Sequence, residues 1–262
     1  MCMNPVSKYI YDFKIVDPNE FNLECVINFL KPIVEEYNIK ILSADGAKIN
    51  KQAAKALNLE FKLCYFHKMA NLMKIVRGSI RNLTRKIKSE INKIEKNNEE
   101  IEEIKKLRKG KRGRIKKGDK KQEKLVKNKD KYLKENRESG SKIKECEKEL
   151  KTILNAIKDI SKCLGSKTYS GGINRYKHIK KNIKKYHPKT HPFIKNLEKD
   201  LDDLLMHTKH KDVPTTNNCI ELCHRHTLNG YDKRKYMTTE GIEREMDLKR
   251  IRWIKRCVLG WT

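Results

Sequence analysis

Ile39-Lys40-Ile41-Leu42-Ser43-Ala44-Asp45-Gly46 is the stretch on which the reading of the fold turns. Its first four residues have strand composition, and Asp-Gly ends the run as a turn does. Upstream, Phe21, Val26, Ile27, Phe29, Leu30, Ile33 and Val34 recur at helical spacing to about Tyr37. Before them, residues 8–16 (Lys-Tyr-Ile-Tyr-Asp-Phe-Lys-Ile-Val) read as a strand that Asp17-Pro18-Asn19 breaks. Downstream, Lys48 to Leu57 predicts a short helix with Ala53, Ala54 and Leu57 inward, and Phe61-Lys62-Leu63-Cys64 a third strand. Strand, helix, strand, helix, strand implies parallel pairing through right-handed crossovers, hence an α/β sheet.

After His67 the periodicity changes. Ile80, Ile87, Ile94 and Ile101 fall every seven residues, with Leu83 and Ile104 at the accompanying d positions. A second series runs Ile143, Leu150, Ile157 and Leu164, with Cys146, Ile153 and Ile160 at d. Between them lies a basic, glycine-punctuated tip from Lys105 to Gly118. Two apolar seams joined by such a tip predict an antiparallel, coiled-coil-like helical hairpin inserted into the α/β domain. The seams bury one another or a second subunit, so a homo-oligomer stays open. Residues 165–192, with Gly165, Gly171, Gly172, Pro188 and Pro192, read as a looser connection. Phe193 to Leu205 is again helical. Thr215-Thr216-Asn217 caps a helix beginning near Asn218 and carrying Ile220, Glu221 and Arg225. Thr238-Thr239-Glu240 caps a last helix with Met246, Ile251, Trp253 and Ile254 as core candidates. The organisation expected is 1–75, first part of the α/β domain; 76–165, the insertion; and 166–262, the remainder.

The chain has 262 residues, of which 37% are hydrophobic, enough for one sizeable core. Lys and Arg number 62 against 34 Asp and Glu, a formal charge of +28. Such a surplus suits a polyanion, because each neutralised phosphate releases a condensed counterion. The bland counterpart is a Lys-rich surface of the kind that heat-loving organisms favour. The eight cysteines, Cys2, Cys25, Cys64, Cys146, Cys163, Cys219, Cys223 and Cys257, form no CxxC pair and suggest free thiols. No secretory leader is visible, and no apolar run approaches the roughly 18–20 residues needed to span a bilayer. A cytosolic, soluble chain without a membrane partner is expected.

Asp45 lies at the carboxyl end of a strand, where open α/β sheets place functional groups, and Gly46 lets the backbone turn sharply beside it. Alone it is a plain Asp-Gly turn. Glu221, one turn into a capped helix, is alone an acid complementing the helix dipole. Cys219-x3-Cys223-His224-x-His226 matches no usual zinc spacing, and on a helix Cys219 and Cys223 share a face from which His224 turns away. That weighs against zinc. The basic tip suits phosphate contact without base readout, or else is a solvated loop.

Taken in order, Asp45-Gly46, Cys64-x-x-His67, a long helical insertion and Thr215-Thr216-Asn217-Asn218-x-x-Glu221 resemble the DDE-type insertion-sequence transposases that carry a Cys-x2-His motif. The resemblance spans nearly the whole chain, and its last phrase, with Arg225 and Lys235 beyond it, is the most specific part. It implies an RNase H-like mixed sheet with flanking helices, interrupted by the helical hairpin. It implies Asp45 and Glu221 as catalytic carboxylates that bind Mg2+ or Mn2+, two ions about 3.5–4 Å apart activating water or a 3′-hydroxyl. Cys64 and His67 would support the fold beside that site. DNA, both transposon ends and target, is the implied partner. Lys105, Lys106, Arg108, Lys109, Lys111, Arg112, Arg114, Lys116, Lys117 and Arg225 are the candidates to contact it, in a prokaryotic cytoplasm at the nucleoid.

The chain departs from the family at its start. One strand and one helix precede Asp45, where the family has three antiparallel strands with the first acid on the first of them. Asp12 lies mid-strand and Asp17 in a turn, so neither matches that acid. No N-terminal DNA-binding domain is visible. The expectation is an N-terminally truncated copy, weak or inactive by itself. The alternatives are a non-catalytic DNA-binding remnant that modulates a full-length transposase, and an RNase H-like nuclease unrelated to transposition.

Overall fold

The computed structural model describes residues 1–17, 19–107, 120–210, 212–216, 220, 222–223 and 238–260. They divide into two units, one of Met1–Leu72, Asp159–Lys181 and Phe193–Thr262, the other of Met73–Lys158 and Asn182–Pro192.

In the first unit, β1 (Cys2–Met3) and β2 (Ile10–Asp12) pair antiparallel, and β3 (Ile41–Ala44) and β4 (Glu60–Leu63) pair parallel. Between β2 and β3 lies α1 (Leu23–Glu36). Asn22 caps it by accepting the Cys25 N–H at 2.9 Å. The crossover from β3 to β4 is α2 (Lys48–Ala56), whose Ala53 and Ala54 are fully buried. Small residues at these two places let the helix lie close to the strands.

Among the described residues the expected RNase H-like mixed sheet does not form. The described residues are mostly helical, and their strands stay in two separate two-stranded sheets. The strand read at 8–16 shrinks to Ile10–Asp12 and turns back onto Cys2–Met3 rather than joining β3. The reason lies far along the chain. Helix α8 (Thr239–Cys257) lays Trp253 on Met3 and Ile10, with Cys223 completing the cluster. The Trp253 indole N–H donates to the Lys8 carbonyl at 2.9 Å, and Arg250 reaches Asp12 at 3.3 Å. The hairpin thus buries its apolar face under α8.

Residues 165–192 also differ from the loose connection expected. Helix α5 (Tyr169–Lys181) occupies their middle. Its Gly172 allows close approach: a Cβ there would come within 2.6 Å of Leu205 Cδ1. Tyr176 donates its hydroxyl proton to the Ile194 carbonyl at 3.1 Å, on α6 (His191–Leu197). Gly172, which reads as flexibility, serves packing.

Helices α3 (Tyr65–Leu107) and α4 (Lys120–Leu164) dominate the second unit. Asn97 pairs with Asn136 at 2.9 Å and Glu90 with Lys142 at 4.0 Å, so higher numbers on one helix meet lower numbers on the other. They run antiparallel. Val76, Leu83, Ile101, Ile104, Ile153 and Ala156 are buried along the seam. Asn97, also buried, places a polar layer among them, a device that sets register where apolar contacts alone permit sliding. Residues 182–192 tie both helices. His187 accepts the Lys189 N–H on Nδ1 at 3.2 Å, which leaves Nε2 to donate to Glu149 at 3.0 Å on α4. Lys189 Nζ donates to Ser79 on α3 at 2.8 Å. Among the described residues no helix is long and apolar enough to cross a membrane.

Candidate active site

The parallel ladder sets the site. Ser43 stands opposite Lys62 and Ala44 opposite Leu63. Asp45 follows Ala44 directly and is exposed. Its Oδ1 accepts the Ala47 N–H at 3.2 Å and the Asn50 carboxamide N–H at 2.7 Å. The carboxylate is therefore held at the N-terminal end of α2, whose Ala47 cap has no side-chain acceptor of its own. Gly46 is not required by sterics. An added Cβ would sit 3.6 Å from Leu63 Cδ1, an ordinary contact, and the residue is outside the left-handed region. The sharp turn expected of it is made without special backbone freedom.

Ala44 then links to the second phrase, its carbonyl accepting the Cys64 N–H at 2.9 Å. Cys64 is fully buried, and its own carbonyl accepts the Lys68 N–H at 3.2 Å as α3 begins. His67 is half-buried, with the Phe66 ring edge-on at 5.9 Å. Tyr65 adds the third phrase, since its N–H donates to the Thr215 carbonyl at 3.4 Å. Lys68 is anchored by an ion pair with Asp200 and lies 5.4 Å from the Phe193 ring centroid. Phrases read separately along the sequence thus meet at the carboxyl ends of β3 and β4.

The remaining candidates divide. Glu221, Arg225, Arg108, Lys109, Lys111, Arg112, Arg114, Lys116 and Lys117 lie outside the described residues, as do Cys219, His224 and His226. Lys105 and Lys106 are exposed at the end of α3. Lys105 is spent on Glu102 at 2.5 Å, and its hydrogen bond holds that carboxyl below the usual range. Ile220 and Cys223 both pack on the Met3–Ile10–Trp253 cluster, so this part of the chain meets β1 and β2 through apolar contacts.

One residue escaped the sequence reading. Lys62 is fully buried, its Nζ 3.5 Å from Ser43 Oγ. A lysine flanked by Phe61 and Leu63 reads as the solvent side of an alternating strand, yet β4 is buried on both faces, as parallel strands are. Nothing local marks that difference. The Lys62 side chain sits on the face of the ladder that carries Ser43, two residues before Asp45 in the chain.

The donor chemistry is compatible with a hard divalent cation. Asp45 offers an exposed, oriented carboxylate oxygen, the ligand type that Mg2+ and Mn2+ take. No protein-family model matches the chain, and no curated protein or solved structure matches it either.

Proposed function

We propose that the chain is a transposase-type protein that acts on DNA by metal-dependent strand cleavage and strand transfer, with Asp45 and Glu221 as its carboxylates. The observation that carries this reading is the meeting of the three phrases, Ala44 to Cys64 at 2.9 Å and Tyr65 to Thr215 at 3.4 Å. It does not rest on the sheet, which is not the one the family resemblance implied. Bound Mg2+ or Mn2+ would supply activation of water or a 3′-hydroxyl and stabilisation of the leaving oxygen. Of the chain's own groups, Asp45 would hold the ion on one side, with Asn50 and the Ala47 N–H keeping its carboxylate in place. Buried Lys62 stands beside Ser43 on the same face of the ladder, its Nζ 3.5 Å from Ser43 Oγ. A DNA partner places the protein in the cytoplasm at the nucleoid.

The charge of +28 favours a second reading, DNA binding without cleavage, because it needs no carboxylate. Supercoiled plasmid incubated with the protein and Mg2+ or Mn2+ separates the two. Asp45→Asn and Glu221→Gln are each expected to lower cleavage by about 100-fold, close to 3 kcal/mol of barrier, with duplex affinity retained. Cleavage untouched by both substitutions sinks the assignment. Duplex binding with no cleavage by the unaltered protein leaves the second reading standing.

A further inference from the structure

The hairpin carries a charged feature that heptad analysis passes over. From Tyr65 to Ser89, α3 contains no Asp or Glu. Within that stretch Lys74, Arg77, Arg81, Arg85 and Lys88 are all exposed. Their spacing of three, four, four and three residues keeps them within an arc of about 80° over about 21 Å of helix. Buried Val76 and Leu83 lie on the opposite side, in the seam. Among the described residues none of the five is in an ion pair. The same arc further along carries Glu95, Glu99 and Glu103, also exposed, so the positive stretch has a defined end. A uniformly Lys-rich surface does not do this. On α4, Lys144, Lys148 and Lys151 alternate with Glu145, Glu147 and Glu149.

We infer that this rail is a second DNA-contacting surface, one that grips the phosphate backbone of duplex DNA without reading sequence. Five like charges on one line, held apart from acids, repel one another and are stabilised when phosphates lie along them. The chemistry discriminates among polyanions. The arc carries no aromatic side chain on which unpaired bases would stack. It also lacks the broad apolar face that an interfacial membrane helix needs, since that face of α3 is buried in the seam. Gly78 lies at the edge of the arc, and open space surrounds the place where its Cβ would be. No packing contact demands the glycine, and it leaves bare backbone beside the cations.

The inference rests on the proposed function only in taking DNA as the partner, and it is tested by affinity, not cleavage. The full chain is titrated with a labelled random-sequence duplex between about 50 and about 200 mM salt. Arg77→Gln/Arg81→Gln/Arg85→Gln is expected to reduce the log–log salt slope by about 2.7, near 0.9 per lost contact. The charge-keeping Arg77→Lys/Arg81→Lys/Arg85→Lys should retain the slope. Lys144→Gln/Lys148→Gln/Lys151→Gln, which removes equal charge from the acid-interleaved stretch, should change it by less than about 1. Gln sustains helix nearly as well as Arg, and far-UV circular dichroism confirms that the helices persist. A rail variant no weaker than the α4 variant overturns the inference while leaving the cleavage site untouched. So does loss of binding to phosphatidylserine vesicles with duplex binding intact. If the unaltered protein binds no duplex at all, both this inference and the proposed function fall.

Discussion

The β3–β4 pair with its helices and the α3–α4 hairpin were built under different rules. In the hairpin, the turns of helix repeat one decision, the Asn97 layer excepted: an apolar residue goes to the seam and a charged one to water. Ile80, Ile87, Ile94 and Ile101 announce that decision every seven residues, and α3 follows it. Around β3 and β4 no such repetition exists. Burial there comes from unlike pieces, Ala53 and Ala54 of the crossover helix α2 and, from far along the chain, α7 (Leu201–Leu204) against β4. The candidate site lies in the region that uses distant contacts, and the basic rail in the region of local repetition. Catalysis needs convergence of unlike groups, whereas a phosphate track needs only periodic charge.

The comparison can be broken by substitution. Ile153, fully buried in the seam, is expected to cost about 3 kcal/mol as Ile153→Ala, read from the urea midpoint. A loss under 1 kcal/mol would mean that the hairpin does not depend on its seam. The same substitution at two glycines should then act with opposite sign. Gly172→Ala drives a Cβ to 2.6 Å from Leu205 Cδ1 and should destabilise by about 2 kcal/mol. Gly78→Ala, with open space around it, should stabilise by about 1 kcal/mol through helix propensity. Equal signs for the pair would erase the distinction between tight distant packing and open repetition.

The smallest effect concerns Cys163. Its thiol is fully buried, donates to the Gly172 carbonyl at 3.3 Å, and is pushed by burial up to about 11. A folded value above the unfolded one makes this group's contribution complete at pH below the ordinary thiol range. It is lost as pH climbs through about 11. The urea midpoint should therefore fall less steeply across that alkaline window in Cys163→Ala than in the unaltered chain. Iodoacetamide should label exposed Cys257 in the native protein and spare Cys163 until unfolding. Prompt labelling of Cys163 would show that this part of the first unit opens readily.

Much of the local structure was legible. The apolar repeats point to α3 and α4, the Ile-Leu and Phe-Leu runs to β3 and β4, and Ala53 with Ala54 to the inner face of α2. Two readings failed for one cause. Residues 8–16 were assigned to the parallel sheet, and 165–192 to a loose connection. Trp253 and Leu205, each remote in sequence, decided otherwise. Of the candidate site, Asp45, Cys64 and His67 were named through the family resemblance, since each alone reads as an ordinary turn or core residue. Buried Lys62 was not, since strand alternation places it in water. The rail escaped because the heptad search follows apolar residues and ignores the opposite face.

By itself the sequence determined the two long helices, the short helices α1 and α2, the β3 and β4 runs, where the seam runs, and where the charge lies. These depend on neighbours three to seven residues away, and the interactions are strong enough to act before the chain is compact. Only the tertiary structure decided that β2 joins β1 under Trp253 rather than extending the β3–β4 ladder, and that Thr215 comes to Tyr65 beside Asp45. Those outcomes are a competition among distant apolar and hydrogen-bonding surfaces for the same partners, and no local window contains both competitors.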